Sequence, residues 1–193
     1  MLNRKNRKKI KSIVYVLGLM MLPITVIGGL LFFFGNDSPK DLNYKVIENE
    51  ALQNKYSGLK LETREGKNVR LTKYKGSILL VNSWAMWNPF CMDELASFSK
   101  LKEEFPEQIT IVAVNRTESQ EEQEAYIKQV EDRLEIDMSN IIFLNDFEDE
   151  FYQVAEGVSM PETLIFDKYG NLVVHKTGPM PLEDMQNLVK QYL

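Results

Sequence analysis

The chain has 193 residues, 44% of them apolar and 26% charged, and a formal net charge of −5. Six of its 23 basic residues (Arg4, Lys5, Arg7, Lys8, Lys9 and Lys11) precede residue 12, leaving 17 basic against 28 acidic residues and a net of −11 in everything that follows. That balance excludes a basic nucleic-acid groove; one cysteine excludes an intramolecular disulfide and an all-cysteine zinc site, and one histidine excludes a multi-histidine metal centre.

The first predicted element is a membrane span. From Ile13 to Phe34 there are 22 consecutive residues without a charge, about 33 Å of helix at roughly 1.5 Å per residue, enough to cross the hydrocarbon of a bilayer. A cleavable secretory signal competes with this reading, but its apolar core runs to roughly 7–15 residues and ends in small residues. Here the run is longer and closes in Leu30-Leu31-Phe32-Phe33-Phe34, which favours an uncleaved anchor. Pro23 lies inside it, as membrane spans tolerate. The positive-inside rule keeps the basic tail cytoplasmic and puts the rest on the extracytoplasmic face. The expected organisation is a cytoplasmic tail over residues 1–11, a transmembrane anchor over 12–34, a polar linker over 35–56 and one domain over 57–193.

Within that domain, Leu59–Thr63 and Val69–Leu71 flank Glu65-Gly66-Lys67 and predict a β-hairpin. Ile78–Val81, Ile109–Val114, Ile141–Leu144 and Thr163–Phe166 are near-continuous apolar runs, as expected of strands covered on both faces. Helical patterns fall between them at Pro89–Phe105, Ser119–Leu134 and Glu148–Val154, and Ser119 with Glu122 has capping-box spacing. After the turn at Asp167-Lys168-Tyr169-Gly170 come a strand, Leu172–Lys176, and a helix from Pro181. Strands alternating with helices predict right-handed crossovers and an α/β fold, with a central, largely parallel sheet between helices.

Ligands and reactive groups collect beyond the carboxyl ends of such strands. The first long strand runs out through Asn82-Ser83-Trp84-Ala85-Met86-Trp87 into Asn88-Pro89-Phe90-Cys91. Asn88 suits an N-cap and Pro89 the first helical position, so Cys91 falls in the first turn, where partial positive charge favours a thiolate. Helical spacing opposes this. Cys91, Leu95, Phe98, Leu101 and Phe105 share one apolar stripe, so a buried inert thiol is the competing reading, and burial and helix terminus pull the thiol pKa in opposite directions.

Val81-Asn82-Ser83-Trp84-Ala85-Met86-Trp87-Asn88-Pro89-Phe90-Cys91 resembles the V-N-F-W-A-x-W-C-x-P-C signature of membrane-anchored thioredoxin-like proteins of the TlpA/ResA type, a redoxin family. Gly66-Lys67, Val69-Arg70-Leu71, Lys75-Gly76 and Gly157-Val158-Ser159-Met160-Pro161 followed by Thr163–Asp167 keep the family's order, so the resemblance spans about Gly58 to Leu193. It implies a thioredoxin-like mixed sheet flanked by helices with an N-terminal hairpin, extracytoplasmic thiol-disulfide chemistry, and a cis-proline at Pro161 beside the active site. It also implies a departure: the attacking cysteine falls at position 88, here Asn88, and only the resolving position is kept, as Cys91. A carboxamide neither attacks a disulfide nor forms one. At Asn82, where cytosolic thioredoxins carry a buried acid, this chain carries an amide.

Two functions follow. In the first, Cys91 makes transient mixed disulfides with a cysteine-containing partner while Asn88 caps the helix. In the second, a redox-inactive module binds an extended peptide in a groove between Trp87-Asn88-Pro89-Phe90 and Met160-Pro161, by strand addition. No cofactor and no metal are expected. Cys91, His175, Met86, Met92 and Met160 supply soft copper ligands on paper, but His175 falls in a strand away from Pro161. The thioredoxin-like peroxidases' P-x-x-x-T-x-x-C pattern fails at Trp84 and Asn88. Asp146, Glu148, Asp149 and Glu150 lack the spacing of a calcium loop and read as a solvated helix start. Asn115-Arg116-Thr117 matches a glycosylation sequon.

Overall fold

The computed structural model describes residues 45–46, 50–154 and 159–193. The predicted membrane span over 12–34 lies outside them; among the described residues no helix is long and apolar enough to cross a membrane. Chain segments enter in the order β1 (Lys45–Val46), α1 (Glu50–Gly58), β2 (Leu61–Thr63), β3 (Asn68–Val69), a 3₁₀ turn (Leu71–Tyr74), β4 (Ile78–Trp84), α2 (Pro89–Glu104), β5 (Ile109–Asn115), α3 (Gln120–Leu134), β6 (Ile142–Asn145), α4 (Glu150–Val154), β7 (Glu162–Phe166), β8 (Leu172–Thr177) and α5 (Leu182–Tyr192).

The strands form one sheet in the order β1-β8-β7-β4-β5-β6-β2-β3. Among the described residues only β4, β5 and β6 run parallel, with Val81 opposite Val112 and Val112 opposite Ile142. β7 joins β4 antiparallel, with Val81 opposite Leu164, and β8 and the β2–β3 hairpin extend the two edges antiparallel. The sheet is therefore mixed, as the family resemblance implies; strand–helix alternation alone predicts a largely parallel one, because it does not register that the short β7–β8 connection at Asp167–Asn171 makes a hairpin where a crossover would need a helix.

Every residue of β4 is buried, which its unbroken apolar run requires of a central strand. One face of the sheet packs Leu80, Trp84 and Ile111 against Leu95, Phe98 and Leu101 of α2, Ile127 and Val130 of α3, and Leu188 of α5. The other face packs Leu61, Val81, Val112 and Leu164 against Tyr56 of α1 and Phe151 of α4. Tyr56 is fully buried, and the compact unit begins at Asn43, so part of the segment read as a linker from its polarity is a helix of the domain. Its single buried aromatic is too sparse a signal for an apolar periodicity.

Local chemistry sets the boundaries. Ser119 and Glu122 make both arms of the capping box that opens α3. Gly66, at φ 75°, supplies the left-handed residue of the β2–β3 turn. Asp146 is buried where a solvated residue was expected, and its carboxylate accepts from the backbone N–H groups of Glu150 at 2.8 Å and Phe151 at 3.0 Å. Asp146→Ala should therefore cost about 1–2 kcal/mol, as loss of a helix cap does, and urea unfolding measures it; a change under a few tenths would show that α4 holds without its cap.

Candidate functional site

The site forms where β4 hands over to α2. Asn88 leaves the helical conformation at φ −102°, ψ 110°, and its Oδ1 accepts from the Phe90 N–H at 3.0 Å. Pro89 fills the first helical position, where its missing N–H leaves nothing unpaired. The other end of the carboxamide is also used: Nδ2 donates to the Met160 carbonyl at 2.6 Å. The Met160–Pro161 peptide bond is cis. Asn88 thus links the start of α2 to the residue before that proline, bringing the two halves of the expected groove together. One backbone acceptor that strand addition at Met160 would use already has a partner from the chain itself.

Cys91 is completely buried, its N–H donating to the Asn88 carbonyl at 3.1 Å. Burial pushes the thiol up to about 12; a hydrogen bond to the Ala85 backbone pulls the other way, and the charges of Glu94 and Glu118 add to the rise. Burial is the largest of these influences on the thiol. Trp87 and Phe90 stand out from the same loop and first turn, 65% and 58% exposed. Trp84 is instead a core residue, fully buried, stacked on Tyr126 and edge-on to Phe143.

Two carboxylates near Cys91 escape a reading of the motif alone. Glu94 lies one turn along α2, inside the apolar stripe, 2% exposed. It accepts from Asn82 Nδ2 at 2.8 Å, Met180 N–H at 2.9 Å and Thr163 Oγ1 at 3.3 Å. Burial raises its pKa to about 7 against those hydrogen bonds and the more distant charge of Lys176. The sequence did carry a signal: a carboxylate three residues after Cys91 and next to Leu95 sits on the face that should be apolar. Glu118, in the β5–α3 loop, holds the loop after β4, accepting the Met86 N–H on both oxygens at 2.9 and 3.0 Å and Asn115 Nδ2 at 2.7 Å. Nothing in its local sequence marks that role.

The soft ligands are not gathered. Cys91, Met86, Met92 and Met160 belong to or border the core beneath α2, whereas His175 bonds Glu162 through Nε2 and packs edge-on to Tyr56 of the other core. Asn115 of the sequon is fully buried.

The AhpC/TSA family matches residues 52–175. The chain is 29% identical over 126 residues to the thioredoxin-like protein YneN of Bacillus subtilis (strain 168), covering 65% of this chain and 71% of that one. It is 28% identical over 134 residues to the thiol-disulfide oxidoreductase ResA of Geobacillus thermodenitrificans (strain NG80-2), covering 69% and 71%. Among solved structures it superposes on the pneumococcal exposed lipoprotein thioredoxin Etrx1 of Streptococcus pneumoniae strain TIGR4 with a TM-score of 0.57 at 22% identity, covering 69% of this chain and 98% of that one. Likeness at that identity speaks for the fold, which is thioredoxin-like.

Proposed function

The chain belongs to the AhpC/TSA family, and from that premise we propose that it is a membrane-tethered, extracytoplasmic thioredoxin-like protein that has given up the two-cysteine cycle and binds a partner protein. The tether and its orientation rest on the basic tail and the uncharged run up to Phe34; the name of Etrx1 as an exposed lipoprotein agrees with that placement. The thiol-disulfide oxidoreductases among its relatives supply the scaffold. In this reading Asn88 stands at the attacking position, Cys91 is a buried thiol, and an extended segment of the partner lies along Trp87, Pro89 and Phe90 opposite Met160 and Pro161.

The observation that carries this reading is the burial of Cys91. A thiol pushed up to about 12 is ionised to roughly one part in 10⁵ at pH 7, and the thiolate is the species that exchanges with disulfides. Alkylation of Cys91 should therefore be slow in the folded protein, fast after denaturation, and without a midpoint below pH 10. Rapid labelling of the native protein with a midpoint well under the free-thiol value of about 8.5 would restore redox turnover.

A second reading is the one-cysteine form, favoured by the placement of the first turn of α2 against Met160. There the Cys91 thiolate attacks a partner disulfide, forms a mixed disulfide and releases the partner's other sulfur as a thiolate. It requires Cys91 to become exposed, and the same labelling experiment separates the two.

A further inference from the structure

The corner where the chain enters β4, at the end of the sheet opposite the groove, runs against the charge of the domain. Residues 60–76 hold six basic residues against two acidic ones, a net of +4, in a chain whose net after the basic tail is −11. Gly76 N–H donates to the Lys168 carbonyl at 3.1 Å, which ties this segment to the turn between β7 and β8. Lys75 crosses the junction: a Cβ on Gly170 would lie 2.5 Å from Lys75 Cε. Thr72, Tyr74 and Lys75 border one small hollow with Asp167 and Gly170. Lys73 Nζ stands 5.7 Å from the centre of the Tyr74 ring, and Lys168 Nζ 5.5 Å from that of Tyr169.

Lys73, Lys75 and Lys168 are all exposed, and none makes an ion pair among the described residues. Asp167, the acid of the turn, directs its carboxylate to the N–H groups of Tyr169 at 2.9 Å and Asn171 at 2.8 Å. Ser83 faces Glu162 beside the groove, whereas Leu79 faces Phe166 at this end. The seven residues of β4, about 20 Å of strand, therefore separate these lysines from the groove.

We propose that this basic corner docks on the surface of an anionic bilayer, the one that holds the tether, and turns the groove away from it. The assignment rests on the membrane-tethered reading above. Anionic head groups supply the counter-charge that the three lysines lack, at about fivefold in partition for each lysine close to the surface. Tyr169, 71% exposed at the turn, is the kind of amphipathic ring that settles at a membrane–water interface. Reach favours the same occupant. The compact unit begins at Asn43, and the eight residues from 35 to 42 that follow the uncharged run span at most about 28 Å. A contact too weak to hold a free protein then becomes an intramolecular one. The acidic remainder of the domain is repelled by the same surface, which selects this corner.

The test uses the full chain in nanodiscs of phosphatidylcholine, alone or mixed with phosphatidylglycerol, with the acetylation rate of each lysine read by mass spectrometry. In the anionic discs Lys73, Lys75 and Lys168 should react at least about fivefold more slowly than in the neutral ones. Lys128, exposed on α3, should be unchanged, and salt at about 1 M, where the Debye length is about 3 Å, should erase the difference. Millimolar inorganic phosphate should protect none of them in neutral discs. Tyr169→Trp should be quenched by head-group spin-labelled lipid in anionic discs, and adding K73Q, K75Q and K168Q should abolish that quenching. Equal labelling in the two kinds of disc, equal slowing at Lys128, or quenching that survives the three substitutions would overturn the docking and leave the tether standing. Protection by phosphate alone would reassign the lysines to a soluble anion and overturn it as well. A chain that enters neither kind of disc would remove the tether, and the docking with it.

Discussion

Glu94→Gln should remove one pH-dependent contribution to stability, so that wild type and variant differ by an amount approaching about 3 kcal/mol across the titration. The carboxyl is buried and its pKa is raised from 4.5 to about 7, so the folded state binds the proton more tightly than the unfolded chain. Stability drawn from a raised carboxyl pKa is fully present below 4.5 and lost as pH rises through about 7. The shift of about 2.5 pH units corresponds to roughly 3 kcal/mol at 1.36 kcal/mol per unit. Wild type should lose that much relative to E94Q between pH 4.5 and 8. The amide mimics the neutral acid, and it has a partner to hand. Asn82 Oδ1 is buried without a hydrogen bond among the described residues, and a rotated Asn82 amide would accept from the new carboxamide. Urea unfolding of both proteins at pH 5, 6, 7 and 8 measures the effect; parallel curves would show that Glu94 titrates near its unfolded value and that water reaches it.

The ease with which this fold reads from sequence follows from how its signals are distributed. β4 and β5 are long apolar runs and α3 announces itself with Ser119 and Glu122, so propensity, pattern and capping agree there. At Asn88-Pro89 the same agreement places Cys91 in a first helical turn, and the 4-3-3-4 spacing from Cys91 to Phe105 anticipates its burial. The segment before Leu59 carries little signal because Tyr56, which α1 buries in the core, is one aromatic in a polar stretch and has no period. The antiparallel pairing of β8 with β7 follows from the turn at Asp167–Asn171, whose residues signal a turn but not which strands it joins. The site's polar half was the least legible. Asn82, Glu94, Thr163 and the Met180 N–H come from four different places in the chain, and only the fold shows that they share one buried carboxylate. Local sequence marks Asn88 as a cap; that its other end bonds Met160 depends on a contact 72 residues away.

Asn88→Cys should create a redox-active pair of cysteines at the start of α2. Residues 88 and 91 are one helical turn apart, tied by the Cys91 N–H to Asn88 carbonyl bond at 3.1 Å, and position 88 is half-buried at the N-cap while Cys91 is enclosed. A thiol at the N-cap would meet the partial positive charge of the helix start, which lowers its pKa, and Cys91 would stand behind it as a resolving thiol. Under oxidising conditions the variant should lose two hydrogens within one chain and reduce a protein disulfide when supplied with dithiol, with wild type assayed beside it and expected to show no turnover. The substitution also removes the bond to Phe90 N–H and the link to the Met160 carbonyl, so the reduced variant should be about 1–2 kcal/mol less stable than wild type. Asn88→Ser separates the two effects, because serine keeps a capping oxygen and adds no thiol; it should be nearly as stable as wild type and inactive. If folded N88C oxidises only between molecules, position 88 is not the attacking position and the proposed reading of Asn88 falls. If it cycles, the scaffold around Met160–Pro161 and Glu94 has kept its competence while a single side chain withdrew the reaction, and the groove is left to do the recognition alone.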